Sequence, residues 1–335
     1  MIADNKPILN LALQGGGSHG AFTWGVLDAL LEDGRYKFEG VSGTSAGAMN
    51  AICLAQGLMT GGNDGARQTL ADFWHSIASS GSPFTTFWES HHASTAMRMM
   101  LQWTKHLSPE QINPMDINPV RDVLLNLIDF DRLRTESPVK LFIAATHANS
   151  GKVRIFKNQE MKVEAALASA CLPEISHTVI IDGEPYWDGG FSANPAIFPL
   201  FWECDSSDLL VVLLTPLRFS ETPYSPKAVQ NRLLDIAFNS NYLREMRMFA
   251  HMKEELSKLA VPSWKFERKL RNVHFHAIHA GDTLENLPPD SKLAVNMPFF
   301  ERLKNSGREY AQQWLEEFGN DVGVKSSLDL SKVYY

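Results

Sequence analysis

The sequence predicts an α/β layered fold, and three observations carry the prediction. Short apolar runs alternate with segments of helical spacing through most of the 335 residues. The runs at 139–146, 209–215 and 273–279 are apolar enough for strands buried inside a sheet. Two glycine-rich stretches, Gly15-Gly16-Gly17-Ser18-His19-Gly20 and Gly43-Thr44-Ser45-Ala46-Gly47, each follow such a run and each open a helical segment. At 44% hydrophobic residues, the chain is able to bury a large core.

Taken in order, residues 8–14 read as a strand. Residues 21–32 read as a helix with Val26, Leu27, Leu30 and Leu31 on one side. Residues 37–42 form a second strand and 46–56 a second helix. Asn149-Ser150-Gly151 turns the 139–146 strand back into 152–156 as a hairpin. Residues 162–171 are helical and stop before Pro173. The strands 179–181 and 185–187 flank Asp182-Gly183, a preferred hairpin-turn pair. Residues 228–259 space as a long amphipathic helix with Val229, Leu233, Ile236, Leu243, Met246, Ala250 and Leu256 facing inward, and 299–318 as a C-terminal helix. The stretch 84–103 is rich in aromatic residues and methionine. It lies between the second helix and the next strand, where insertions commonly cover a site, so it reads as a pocket wall or lid ahead of ordinary core. No internal repeat or low-complexity linker divides the chain, and one integrated domain is expected.

Composition narrows the function classes. A net charge of −7 leaves no basic footprint, which argues against nucleic-acid binding and against purely electrostatic docking on anionic lipid. Cys53, Cys171 and Cys204 lie far apart in no metal-ligand spacing and read as buried apolar residues. The first six residues are polar, no signal peptide is read, and no apolar run is long enough for a bilayer. The expectation is a cytoplasmic protein, with peripheral membrane contact open.

Gly15-x-Gly17-x-x-Gly20 matches a dinucleotide fingerprint, with Glu39 near the spacing of a ribose ligand. Gly43-x-Ser45-x-Gly47 matches a nucleophile elbow, where a serine stands on a sharp strand-to-helix turn. Together they set a serine nucleophile beside backbone N–H groups at a helix start, the equipment of acyl-ester hydrolysis. The dinucleotide reading leaves the second motif as an accident. The serine needs a base, and Asp188, in Asp188-Gly189-Gly190, is the best candidate; a plain turn there is equally open from the residues alone.

These three motifs, in this order, resemble the patatin-like phospholipases. Ala168-Ser169-Ala170-Cys171-Leu172-Pro173 and Asn194-Pro195 strengthen the resemblance, which covers residues 8–202. It implies a three-layer sheet flanked by helices, with residues 203–335 adding C-terminal strands and helices to the same domain. It also implies a Ser-Asp dyad acting on fatty acyl esters of lipids, with Ser45 as nucleophile and Asp188 as base. Backbone N–H groups of Gly16, Gly17 and Ser18 would form the oxyanion hole, with no metal and no cofactor. The family usually carries arginine or lysine where His19 stands, so a side-chain role there is in doubt while the backbone donors are unaffected.

Three rivals remain at this level. One is a conventional Ser-His-Asp esterase, because His274, His276 and His279 share one strand face and follow Ser45 and Asp188 in the α/β-hydrolase order. With no acidic ligand or cysteine nearby in sequence, structural histidines are the better reading of these three. The others are a dinucleotide-dependent oxidoreductase using Gly15 to Gly20, and a lipid-binding module that keeps the fold without catalysis.

Overall fold

The computed structural model describes residues 6–80, 108–258 and 264–335; the 84–103 stretch lies outside them. Eight strands form one sheet: β1 (Ile8–Leu13), β2 (Lys37–Thr44), β3 (Lys140–His147), β4 (Val153–Lys157), β5 (Val179–Ile181), β6 (Glu184–Asp188), β7 (Asp208–Leu213) and β8 (His274–His279). Their spatial order is β5-β6-β3-β2-β1-β7-β8, with β4 also paired to β3. The run from β3 through β2, β1 and β7 to β8 is parallel. The two hairpin strands β4 and β6 lie antiparallel to β3.

Side-chain alternation along the strands divides the interior into two cores. Leu9, Leu11 and Leu13 point into one with Leu210 and Val212. Ala12 points into the other with Leu209, Val211 and Leu213. Period-two strands with both faces apolar are what a covered parallel sheet requires. Helices α1 (Gly20–Asp33), α2 (Ala46–Ser79) and α3 (Val163–Ser169) cover the first face. Helix α4 (Phe198–Glu203) and the long α5 (Pro226–Ser257) cover the second. The C-terminal α6 (Met297–Phe318) returns to the first face. The result is the three-layer α/β sheet expected, with helices added after β7 and β8. Among the described residues, no helix is long and apolar enough to cross a membrane.

Helices α1 and α6 approach at two glycines. A Cβ on Gly25 would fall 1.9 Å from the Lys304 carbonyl oxygen, and one on Gly307 would fall 2.0 Å from that of Phe22. No rotamer relieves a backbone clash, so the helices would have to separate. Gly307→Val is therefore expected to cost about 3 kcal/mol or more, the upper end of overpacking. Chemical denaturation checks this, and a loss under ~1 kcal/mol would show that the crossing adjusts.

Two expectations change here. Helix α5 buries Asn239, Tyr242, Met246, Phe249 and Ala250. Val229, Leu233 and Ile236, expected inward, are 39%, 60% and 56% exposed. At ~100° per residue, Leu233 lies about 140° round the helix from Met246. The first turns are apolar on several sides, so spacing alone chose the wrong face. His274 and His276 do have an acidic neighbour. Asp208 Oδ1 is 3.1 Å from His274 Nδ1 and 3.2 Å from His276 Nε2. Parallel pairing of β7 with β8 brings it there. Among the described residues no group of side chains is arranged to hold a metal.

Candidate active site

The sheet itself brings Ser45 and Asp188 together. β3 pairs with β2 from Lys140 to Ala144 and with β4 from Phe142 to Thr146. A strand has two edges, so β6, opposite Ala145 to His147, must share the edge used by β2. Thr44 stands opposite Ala144 and Asp188 opposite Ala145. Where β2 ends in the Ser45 turn, β6 ends in Asp188.

Ser45 has φ 54° and ψ −123°, a left-handed conformation that costs a non-glycine residue on the order of 1–3 kcal/mol. It caps α2 and is half-exposed while the residues on both sides are buried. Its N–H donates to Ser169 Oγ at 2.9 Å. Gly47 permits the turn: a Cβ there would fall 2.1 Å from the Leu13 carbonyl oxygen. Asp188 is 1% exposed. Burial pushes its carboxyl up to about 7, while the Gly190 N–H and the neighbouring Ser45 hydroxyl favour the charged form. The Gly190 bond is 2.7 Å long. Thr146 Oγ1 donates to the Asp188 carbonyl at 2.7 Å, and the Asp188 N–H donates to the Cys171 carbonyl at 2.7 Å.

The first glycine stretch lies directly against this pair. A Cβ on Gly15 would fall 2.7 Å from Ser45 Cβ, and one on Gly20 would fall 2.7 Å from Ala46 Cβ. Asn194 Oδ1 accepts the Gly15 N–H at 2.7 Å. Gln14 ties the loop to β7, accepting the N–H groups of Leu214 and Thr215 at 2.6 and 2.8 Å. Residues Gly17–His19 form a 3₁₀ turn after Gly16, with Gly17 exposed and at φ 59°. The first amides of such a turn have no acceptor within it, so they are free to meet an anion. His19 is buried, its Nε2 hydrogen-bonded to Ser291 Oγ at 2.7 Å. Burial and the Lys292 charge push it down to about 3, so it is neutral.

The other candidates lie elsewhere. His274 and His276 hold Asp208 at the start of β7, the end of the sheet opposite the Ser45 turn. His279, pushed down by burial, ends β8, three strands from β2 or ~14 Å at ~4.8 Å per strand. Glu39 is also at the far end, where its carboxylate accepts the N–H groups of Asp205 and Ser206 and pairs with Lys140. It is not a ribose ligand for the glycine loop. Two surface cavities, of about 410 and 520 Å³, are lined by Asp72, His75 and Val123 and by Ser206, Asp208 and His274; neither includes Ser45 or Asp188. Of the supporting residues, Ser169 and Asn194 stood in stretches legible as motifs. Gln14 carried no signal, because its partners come from β7 and α5.

VipD from Legionella pneumophila aligns with 93% of this chain and 67% of its own, at 17% identity and a TM-score of 0.44. ExoU, from the ExoU-SpcU complex of the Pseudomonas aeruginosa type III secretion system, aligns with 93% of this chain at 16% identity and a TM-score of 0.32. This chain spans about half of that one, 52%. No curated protein sequence matches. A family model described as patatin-like phospholipase matches residues 11–201, more than half of the chain and all three motifs. The chain belongs to the patatin-like phospholipase family, and so to the hydrolases of lipid esters.

Proposed function

We propose that this protein cleaves fatty acyl esters of lipids through a Ser45-Asp188 dyad, with no histidine between the two. The observation that carries the reading is the placement, by the two partners of β3, of a strained, accessible serine beside a buried carboxylate that burial pushes up to about 7. An ordinary carboxylate, ionised near pH 4, is a weak base for a hydroxyl; one raised to about 7 is matched to neutral pH.

In the first step Ser45 Oγ attacks the ester carbonyl carbon while Asp188 takes its proton. The oxyanion meets the N–H groups of Gly16, Gly17 and Ser18. Collapse breaks the ester C–O bond, and the leaving alcohol takes the proton from Asp188. Water, deprotonated by Asp188, then attacks the acyl-Ser45 carbonyl, and collapse returns the proton to Ser45 and releases the fatty acid. The scheme calls for no metal or cofactor.

The test is hydrolysis of phospholipids, lysophospholipids, acylglycerols and acyl thioesters by the purified chain. Release of fatty acid from one class or more is expected; no release from any member would sink the reading. Ser169 serves the same scheme as a positioning residue, since its hydroxyl holds the Ser45 N–H in the strained turn. Ser169→Ala leaves that amide unpaired, which costs ~1–3 kcal/mol. A roughly tenfold fall in kcat with KM unchanged is expected on a short-chain ester. An unchanged kcat would mean that the turn holds itself.

A further inference from the structure

We propose that the first half of α5 is the face by which this protein rests on a lipid surface, with Leu233, Leu234 and Ile236 among the acyl chains. The inference deepens the lipid-ester reading and rests on it. It starts from Val229, Leu233 and Ile236 of α5, which sequence spacing assigned to the core and which stand in solvent instead.

Position is the first argument. This half of α5 lies across both catalytic turns. A Cβ on Gly190 would fall 2.2 Å from the Phe238 ring, which also packs on Phe191 with ring centroids 4.7 Å apart. Asn241 Nδ2 donates to the Phe191 carbonyl at 2.9 Å. On the oxyanion side, Asn239 Oδ1 accepts from Gln14 Nε2 at 3.3 Å. Asp235 accepts from Lys292 Nζ at 2.7 Å, and the Lys292 carbonyl would be 2.3 Å from a Cβ on Gly17. A surface bound to the outer side of this helix is therefore held beside Ser45.

Charge is the second. The ionisable side chains between residues 228 and 241 are Arg232 and Asp235. Arg232 lies over the Phe219 ring at 3.6 Å, and Asp235 is paired with Lys292. Leu233, Leu234 and Ile236 are 60%, 51% and 56% exposed, with Val229 at 39% beside them. From Arg244 onward the helix becomes densely charged, with Glu245, Arg247, Lys253, Glu254, Glu255 and Lys258. The apolar face thus stops where the helix leaves the catalytic turns. An exposed apolar patch of this kind marks a contact surface. Because Arg232 and Asp235 are each already engaged and no surplus of cations lies between residues 228 and 241, the partner this face fits is hydrocarbon reached past neutral headgroups, not an anionic surface.

The test uses phosphatidylcholine vesicles. Binding is measured by co-sedimentation in a Ser45→Ala background, where nothing is hydrolysed, with and without Leu233→Ser/Ile236→Ser. The double variant is expected to lower vesicle partition at least tenfold, with little dependence on salt or on added anionic lipid. In the Ser45 protein it should lower hydrolysis of vesicle substrate to the same degree and leave kcat/KM on a monomeric short-chain ester within twofold. Undiminished vesicle binding overturns the proposal. So does a concentration-dependent dimer that the double variant dissolves, which would make a second copy the occupant. A fall in Tm of several degrees in the variant also overturns it, because the face would then be covered by the chain itself. Vesicle binding lost in the variant, with no hydrolysis by the Ser45 protein, would keep the docking face and sink the esterase reading.

Discussion

Ser45→Ala is expected to reduce turnover by ~10⁴–10⁶-fold, the scale seen when the nucleophile of a covalent hydrolase is removed. The hydroxyl is the atom that forms the acyl bond, and the oxyanion donors that remain can only speed direct attack by water. The backbone at φ 54° also accommodates alanine at about the cost it imposes on serine, so the variant should fold. A fluorophosphonate probe supplies the second readout: serine attacks phosphorus and fluoride leaves. One equivalent should label the parent protein and none the variant. Labelling that persists undiminished in Ser45→Ala would assign the nucleophile elsewhere.

Asp188→Asn is expected to cost ~10²–10⁴-fold in kcat, the usual worth of a general base. Asparagine keeps an acceptor for the Gly190 N–H but cannot take the Ser45 proton. The pH behaviour separates this from damage to the fold. In the parent, kcat/KM should fall about tenfold per unit as pH drops below about 7, as Asp188 becomes protonated. For stability the sign is opposite. A carboxyl raised on folding contributes stability that is fully present below its unfolded pKa, near 3.8, and lost as pH rises through about 7. Above pH 7 the parent bears a buried charge that the variant lacks, worth up to ~4 kcal/mol at ~1.4 kcal/mol per unit. Asp188→Asn should therefore melt higher than the parent at pH 8, with the gain gone by pH 4. A variant that melts lower at pH 8, or a parent with no acid limb near pH 7, would remove Asp188 from the base role. The same loss of activity in a His274 or His279 variant would argue for a triad instead.

Much of this was legible before any coordinate. The strand-to-helix turns at Gly15 to Gly20 and at Ser45 are local: a few consecutive residues set them, and glycine has few other reasons to recur at that spacing. The alternation of apolar strands with helices fixed the layered class for the same reason, since each element answers to its own periodicity. What depended on partners distant in sequence was not legible. Whether Asp188 closes a turn or faces Ser45 depends on β6 taking the edge of β3 that β2 vacates, which sets end to end two strands about 140 residues apart that do not pair with each other. Its raised pKa comes from burial, which no neighbouring residue announces. The pairing of Asp208 with His274 and His276 arises only when β7 meets β8. The outward face of α5 followed the same rule. Its first turns offer apolar side chains in several directions, and only the sheet and the catalytic turns beneath decide which of them remain in water. Periodicity is a property of one segment; burial and charge pairing belong to the space between segments.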